Sequence, residues 1–190
     1  MVQTFAPQQS FEELTAALPS GKRNGLRRGK AIVTHSGDRY IGQVIVNASP
    51  DMVWDVITDY QNFSRFLPSI VSSEVLESQG DRTVVEQVGS RRVVLADVKS
   101  RLRTENIETP KQRIDFHLLE GDLKTFEGHW QLYILENPVG NADSSEQTLI
   151  VQSTQAKAGI GLLEGSFGRA FMDSVQENLA AIQAEVERRI

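Results

Sequence analysis

The residues STQAKAGIGLLEGSFGRAFMDSVQENL, at 153–179, mark the point where the chain changes from strands to a helix. The run that leads into them, residues 148–153, is apolar and β-branched, which is typical of a strand. After Lys157 the apolar residues recur about every 3.6 positions, as on one face of a helix. We therefore expect a single helix over 160–188. Its apolar stripe comprises Phe167, Phe171, Val175, Leu179, Ile182 and Val186.

Three glycines in this stretch, Gly159, Gly161 and Gly165, are spaced G-x-G-x-x-x-G. A strand, a glycine turn and a helix can begin a dinucleotide-binding unit, with the pyrophosphate at the helix N-terminus. That fold also needs a second parallel strand, but only residues 166–190 follow, and their pattern is helical. The Gly-Lys-Ser/Thr of a phosphate-binding loop is absent too. The glycines instead predict a close approach between the helix start and the sheet, or a hinge.

Six segments upstream show the alternation of half-buried strands, with short polar links between them. They lie near residues 70–77, 82–89, 92–104, 112–119, 125–135 and 147–157. Strands joined by such short links run antiparallel. No helices alternate with them, which excludes a doubly wound parallel sheet. A hairpin over 31–46 precedes them, followed by a helix with Ser49 as N-cap and Pro50 at its first position.

Composition narrows the class of protein. The chain has 190 residues, 39% of them hydrophobic and 24% charged, which suits one globular domain. A net charge of −5 argues against nucleic-acid binding. The absence of cysteine removes disulfides, thiolate zinc sites and cysteine nucleophiles. We see no signal-peptide pattern and no apolar stretch near the ~20 residues of a membrane span. The expected location is cytoplasmic, at most peripheral to a membrane.

The first 38 residues form an N-terminal extension, with room for an extra strand. Ser10 and Glu13 form a capping-box pattern for a short helix that Pro19 and Gly21 end. A basic connector follows, with Lys22, Arg23, Arg27, Arg28 and Lys30. Such a run is a solvated surface, or a weak peripheral contact with an acidic partner or anionic lipid headgroups.

The segment VIVNASPDMVWDVITDYQNFSRFLPSIVSSEVL, residues 44–76, resembles a known family. The matching motifs are Ala48-Ser49-Pro50, Val53-Trp54-Asp55, Thr58-Asp59-Tyr60 and Phe66-Leu67-Pro68, together with Gly128 and Trp130 in LLEGDLKTFEGHWQL. They resemble the START-like helix-grip (SRPBCC) superfamily, and within it the polyketide cyclase/dehydrase and coenzyme Q-binding family. The resemblance covers about residues 40–188.

This resemblance implies an α+β helix-grip fold, in which a curved antiparallel sheet wraps around a long C-terminal helix with an apolar cavity between them. Residues 39–190 would then be the ligand-binding domain. Members bind lipids, quinones, polyketides or hormones, and only some are enzymes. No shared catalytic motif, cofactor or metal carries over to this sequence.

The hairpin near Leu123 shows which side chains face the cavity. Centring its turn there predicts that Phe116 faces Trp130 and His117 faces His129. The apolar alternate set, which contains Phe116 and Trp130, should lie on the concave face. Asp115, His117, Glu127, His129 and Gln131 then lie on the solvated convex face, so we expect no metal site. The predicted cavity residues are Phe66, Leu102, Phe116, Leu118, Phe126, Trp130, Ile150, Phe167 and Phe171.

The side chains predicted to face this cavity indicate what it can do. Ser100 and Thr104 should point inward with Leu102, but no base within reach would activate their hydroxyls. We therefore expect non-catalytic binding, in transport or chaperoning, of a hydrophobic small molecule such as a lipid, quinone or isoprenoid. The alternative is a polyketide cyclase or aromatase that uses the same cavity, and a titratable group pointing into it would distinguish the two.

Overall fold

The computed structural model describes residues 6–93, 96–137, 139, 146–159 and 164–190. The helices are α1 (Phe11–Thr15), α2 (Ser20–Arg27), α3 (Pro50–Ile57), α4 (Phe63–Phe66) and α5 (Glu164–Arg189), with a 3-10 turn at Tyr60–Asn62. The strands are β1 (Gln8–Gln9), β2 (Ile32–Ser36), β3 (Arg39–Val46), β4 (Ile70–Gln79), β5 (Arg82–Val93), β6 (Ala96–Thr109), β7 (Arg113–Gly121), β8 (Thr125–Leu135) and β9 (Thr148–Lys157).

The strands form one sheet, whose order within the described residues is β2-β3-β9-β8-β7-β6-β5-β4. All neighbours along this order run antiparallel, while the short β1 lies parallel to the end of β8. The sheet curves around α5, so the predicted helix-grip α+β fold is confirmed. Since β2 pairs with β3, part of the N-terminal extension belongs to the same sheet. The division of the chain at residue 39 stays a prediction.

Helix α5 packs on the concave face where β3 carries a glycine. A Cβ on Gly42 would lie 2.6 Å from Leu179 Cδ1 and 2.8 Å from Val175 Cγ1. The missing side chain therefore lets the helix approach the strand closely, and Leu179 and Val175 fill the space. No helix among the described residues is long and apolar enough to cross a membrane.

A second helix contains Lys22, Arg23 and Arg27 of the basic connector, which corrects the predicted helix end at Pro19 and Gly21. The capping box of Ser10 and Glu13 is present, but α1 ends at Thr15 and α2 covers most of the basic run. Phe11 and Leu26 are buried in a second apolar cluster with Leu149. The two helices therefore cover the convex face of the sheet at the β3-β9-β8 end.

Several basic side chains of α2 are engaged within the protein. Lys22 Nζ donates to the carbonyl oxygen of Val33 at 2.6 Å. Arg27 pairs with Glu12, and its guanidinium carbon lies 4.7 Å from the centre of the Phe11 ring. These contacts hold the helix on the sheet and leave less charge for an external partner.

The register of the β7–β8 hairpin differs from the prediction. Ile114 faces Trp130 and Phe116 faces Gly128, which is a shift of two residues. The turn is centred one residue earlier than Leu123, and each residue of movement at a turn shifts the pairing by two. Because side chains alternate with period two, the assignment of Phe116 and Trp130 to the concave face is unchanged.

Candidate functional site

A cavity of about 510 Å³ lies between the concave face of the sheet and the N-terminal half of α5. Helix α3, the 3-10 turn and α4 close one side of it through Ile57, Tyr60 and Phe63. The sheet side is formed by inward-facing residues of β5 to β9, since alternate side chains along each strand share one face. Of the predicted cavity residues, the structure places six on the wall: Leu102, Phe116, Phe126, Trp130, Phe167 and Phe171.

Aromatic rings form a continuous part of the wall from the sheet to the helix. The ring centres of Phe116 and Phe126 are 5.1 Å apart, and those of Phe126 and Phe171 are 6.3 Å apart. Phe167 stacks on Phe171 at 5.5 Å, and Tyr40 meets the edge of Phe171 at 4.7 Å. Phe171 is therefore supported by rings on two strands and on its own helix while bordering empty space.

The other three predicted residues lie elsewhere. Ile150 is fully buried in the core cluster. Phe66 packs against Phe63, with the Arg189 guanidinium 5.8 Å from its ring centre. Leu118 pairs with Thr104 beside a register shift between β6 and β7, where Leu119 is the extra residue. None of the three lines the cavity.

Among the described residues, the cavity lining is buried at the α3 side and more exposed near the start of α5. Ile57, Tyr60 and Asn106 are each less than a tenth exposed. By contrast, Ser166 is exposed, and Phe126 and Phe167 are half-buried. For the described residues, the more accessible end of the cavity, here called its opening, thus lies beside the first turns of α5.

The glycine turn before α5 lies close to this opening. A Cβ on Gly159 would overlap the carbonyl oxygen of Asp122, in the β7–β8 turn. This is the kind of close approach that the glycines predicted, because only a residue without a side chain fits there. Gly161 lies outside the described residues.

The closed side of the cavity carries polar groups. Tyr60 Oη donates to Glu108 Oε1 at 3.0 Å, and Thr83 Oγ1 donates to the same oxygen at 3.1 Å. Asn106 Nδ2 donates to the Thr83 carbonyl oxygen at 3.2 Å and to Thr104 Oγ1 at 3.3 Å. We call Tyr60, Thr83, Thr104, Asn106 and Glu108 the inner polar cluster.

Only Thr104 of the inner polar cluster is predicted from the sequence to face the cavity, although the same pattern also indicates Asn106 and Glu108. Thr104 was predicted to face inward, and the same period of two along β6 brings Asn106 and then Glu108 to that face. The contact between Tyr60 and Glu108 joins positions 48 residues apart and has no local signal.

No charged side chain is found among the described residues that line the cavity, and Tyr60 is their only titratable group. Burial raises the pKa of the Tyr60 phenol far above its usual value, and the Glu108 carboxylate raises it further. Tyr60 therefore stays protonated and neutral throughout the physiological range.

The histidines of the β7–β8 hairpin lie on the convex face, away from the cavity. His117 is exposed and its Nε2 lies 3.4 Å from Glu105 Oε2. His129 lies opposite Asp115 in the β7–β8 ladder. Burial, together with the positive charge of Arg113, lowers the pKa of His129. Among the described residues, no cluster of three or more histidine or carboxylate side chains is placed to hold a metal ion.

We expect the double change His117→Gln and His129→Gln to leave cavity binding unchanged. Both side chains point away from the cavity, so only surface contacts are lost, at a cost within about 0.5 kcal/mol of stability. Thermal unfolding and titration with the neutral apolar dye Nile red would measure both quantities. Loss of a co-purifying metal, or weaker dye binding, would show that the face assignment is wrong.

Comparisons with known proteins agree with this geometry. Residues 46–182 match the family model described as polyketide cyclase / dehydrase and lipid transport. The ribosome association toxin RatA of Escherichia coli is 27% identical over 130 residues, which cover 68% of this chain and 74% of that protein.

Solved structures are similar in fold. The Zhui aromatase/cyclase from Streptomyces sp. R1128 superposes with a TM-score of 0.65 at 20% identity, over 80% of this chain and 94% of that one. A START superfamily protein from Mycobacterium smegmatis gives a TM-score of 0.65 at 15% identity, over 81% of this chain and all of that one. At these identities the likeness is one of fold.

Proposed function

Because this chain belongs to the polyketide cyclase/dehydrase and lipid transport family, we propose that it binds a hydrophobic small molecule without transforming it. A lipid, quinone or isoprenoid is the expected class of ligand. The observation that carries this proposal is the cavity of about 510 Å³, whose described lining residues are uncharged and largely apolar.

The size and chemistry of the cavity support binding. Ligand sites are typically concave spaces of about 300–1,000 Å³, apolar apart from a few placed polar groups. The ring wall of Phe116, Phe126 and Phe171 supplies the apolar surface. The inner polar cluster supplies the few polar groups.

The alternative of a polyketide cyclase or aromatase needs a group that gives or takes protons inside the cavity. Tyr60 is the titratable group available among the described lining residues. Its hydroxyl donates a hydrogen bond to Glu108, with Tyr60 Oη 3.0 Å from Glu108 Oε1. Its raised pKa makes it a poor acid and a poor base near neutral pH. These properties favour binding over catalysis.

Native mass spectrometry of gently purified protein tests the proposal. We expect an added mass that organic solvent removes and that belongs to an apolar molecule. Stripped protein should then take up Nile red, and the released molecule should be recovered unchanged after prolonged incubation with the protein. Stripped protein that takes up no apolar probe would contradict binding, and conversion of the released molecule would favour the enzyme.

We also propose a weak peripheral contact of Lys22, Arg23, Arg27, Arg28 and Lys30 with anionic membranes. Each basic residue near such a surface adds roughly 1 kcal/mol, but the internal partners of Lys22 and Arg27 reduce the total. We expect weak sedimentation with vesicles of phosphatidylglycerol and phosphatidylcholine at low salt, lost when added salt screens the charges.

The matched variant for this experiment carries Arg28→Glu and Lys30→Glu, which reverse the charge of two exposed residues. It should abolish vesicle binding and leave Nile red uptake unchanged, because both residues are exposed and neither lines the cavity. Binding that persists in high salt, or none at low salt, would overturn the membrane contact.

A further inference from the structure

The inner polar cluster keeps hydrogen-bonding capacity that its own contacts do not use. Thr104 Oγ1 accepts from Asn106, and its hydroxyl donates to none of the described residues. Both bonds of Asn106 use the amide nitrogen, and its amide oxygen accepts no hydrogen bond from the described residues. The closed side of the cavity thus offers one free donor and one free acceptor on neighbouring alternate residues of β6.

These two side chains are well placed to hold a ligand group. Both line the cavity and both are less than a tenth exposed. Asn106 is held by the Thr83 carbonyl oxygen, and Thr83 is held by Glu108, so the pair is fixed before a ligand arrives. Burial of unused polar groups is costly unless a partner satisfies them.

The charge of the cluster selects a neutral partner. Glu108 accepts from Tyr60 and Thr83 directly behind the cavity wall. The described lining residues include no lysine, arginine or histidine that would balance an anion. A ligand carboxylate would therefore be desolvated beside a like charge, which is unfavourable.

We propose that Thr104 and Asn106 bind the hydroxyl group of a neutral, otherwise apolar ligand, which enters hydroxyl end first. A hydroxyl both accepts and donates, so it matches the free Thr104 donor and the free Asn106 acceptor together. The apolar remainder then lies along the rings of Phe116, Phe126 and Phe171 toward the opening. This inference rests on the proposed function and gives the ligand a defined polar end.

Three probes with the same alkyl chain test it: dodecanol, dodecyl chloride and dodecanoate, each measured by displacement of Nile red. We expect the wild-type protein to bind dodecanol about tenfold more tightly than dodecyl chloride. This ratio corresponds to the net contribution of hydrogen bonds to a buried hydroxyl group. Dodecanoate should bind at least about tenfold more weakly than dodecanol, because its charge is desolvated without a partner.

The double change Thr104→Val and Asn106→Leu removes both partners and keeps the number and branching of the side-chain heavy atoms. It should bind dodecyl chloride at least as tightly as the wild type does, which shows that the cavity is intact. Its preference for dodecanol should be lost or reversed in favour of dodecyl chloride, since the ligand hydroxyl would then be buried without a partner. Thr104→Ser, which keeps the hydroxyl, and Ser100→Ala, near the opening, should both retain the preference.

The outcomes separate this inference from the proposed function. Wild-type protein that binds neither Nile red nor any of the alkyl probes contradicts both. Equal binding of dodecanol and dodecyl chloride, or a preference that survives the double change, overturns the hydroxyl site while binding itself stands. Dodecanoate binding as tightly as dodecanol overturns the requirement for a neutral ligand.

Discussion

Leu179→Ala should lower the free energy of unfolding by about 2–5 kcal/mol. The Leu179 side chain is fully buried, and it fills the space that the missing side chain of Gly42 leaves between α5 and β3. Truncation removes the apolar burial and leaves a void, because the backbones of the helix and strand cannot both move in to close it. Denaturant unfolding followed by circular dichroism would measure the loss.

Phe171→Ala is the matched comparison on the same helix. Truncation of a phenylalanine in a filled core costs about 3–5 kcal/mol. Phe171 contacts the rings of Tyr40, Phe126 and Phe167, but it also borders the cavity, so fewer contacts are lost and the cost should be smaller. A filled-core cost at Phe171, in a protein that takes up no Nile red, would mean that the space is packed in solution.

The strands and the last helix could be predicted because their patterns are local. Alternation located β4 to β9 within a few residues, and Ser10 and Ser49 cap their helices as predicted. Along α5, Val175 and Leu179 of the apolar stripe are buried in the core, as a filled interface requires. Phe171 belongs to the same stripe and is only half-buried, because it faces the cavity.

Other features depend on contacts that no local pattern shows. Helix α2 contains two glycines and several polar residues, which favour a helix weakly on their own. It forms because Leu26 is buried in the cluster with Phe11. Strand β1 pairs through two backbone positions at the end of β8, and an exposed pair of glutamines gives no signal for it.

The cavity wall could be predicted only where one strand face continues without interruption. Phe116, Phe126 and Trp130 follow from alternation, and the structure places them on the wall. Leu118 is predicted by the same alternation but does not lie on the wall, because the extra residue Leu119 disturbs the ladder between β6 and β7 beside it. The Tyr60–Glu108 contact brings a helical turn onto a strand end, which only the tertiary fold determines.

Ala170→Phe should weaken the uptake of Nile red by at least about tenfold and leave the free energy of unfolding nearly unchanged. Ala170 lies on α5 and lines the cavity near its opening, so a phenyl ring there occupies the space that a ligand needs. Overpacking a filled core costs about 1–3 kcal/mol, whereas a ring that enters empty space gains apolar burial and offsets its own strain. Dye titration and denaturant unfolding on the same preparation would measure both effects.

Ala180→Phe provides the control, because Ala180 is exposed on the same helix. Both changes carry the same loss of helix propensity, about 0.5 kcal/mol, so the comparison isolates the effect of the ring in the cavity. The control should bind Nile red as the wild type does. If Ala170→Phe keeps full dye binding, the dye occupies another surface and the cavity is not the binding site. If it instead loses about 1–3 kcal/mol more stability than Ala180→Phe, the space beneath α5 is filled by side chains, and the ligand must bind elsewhere.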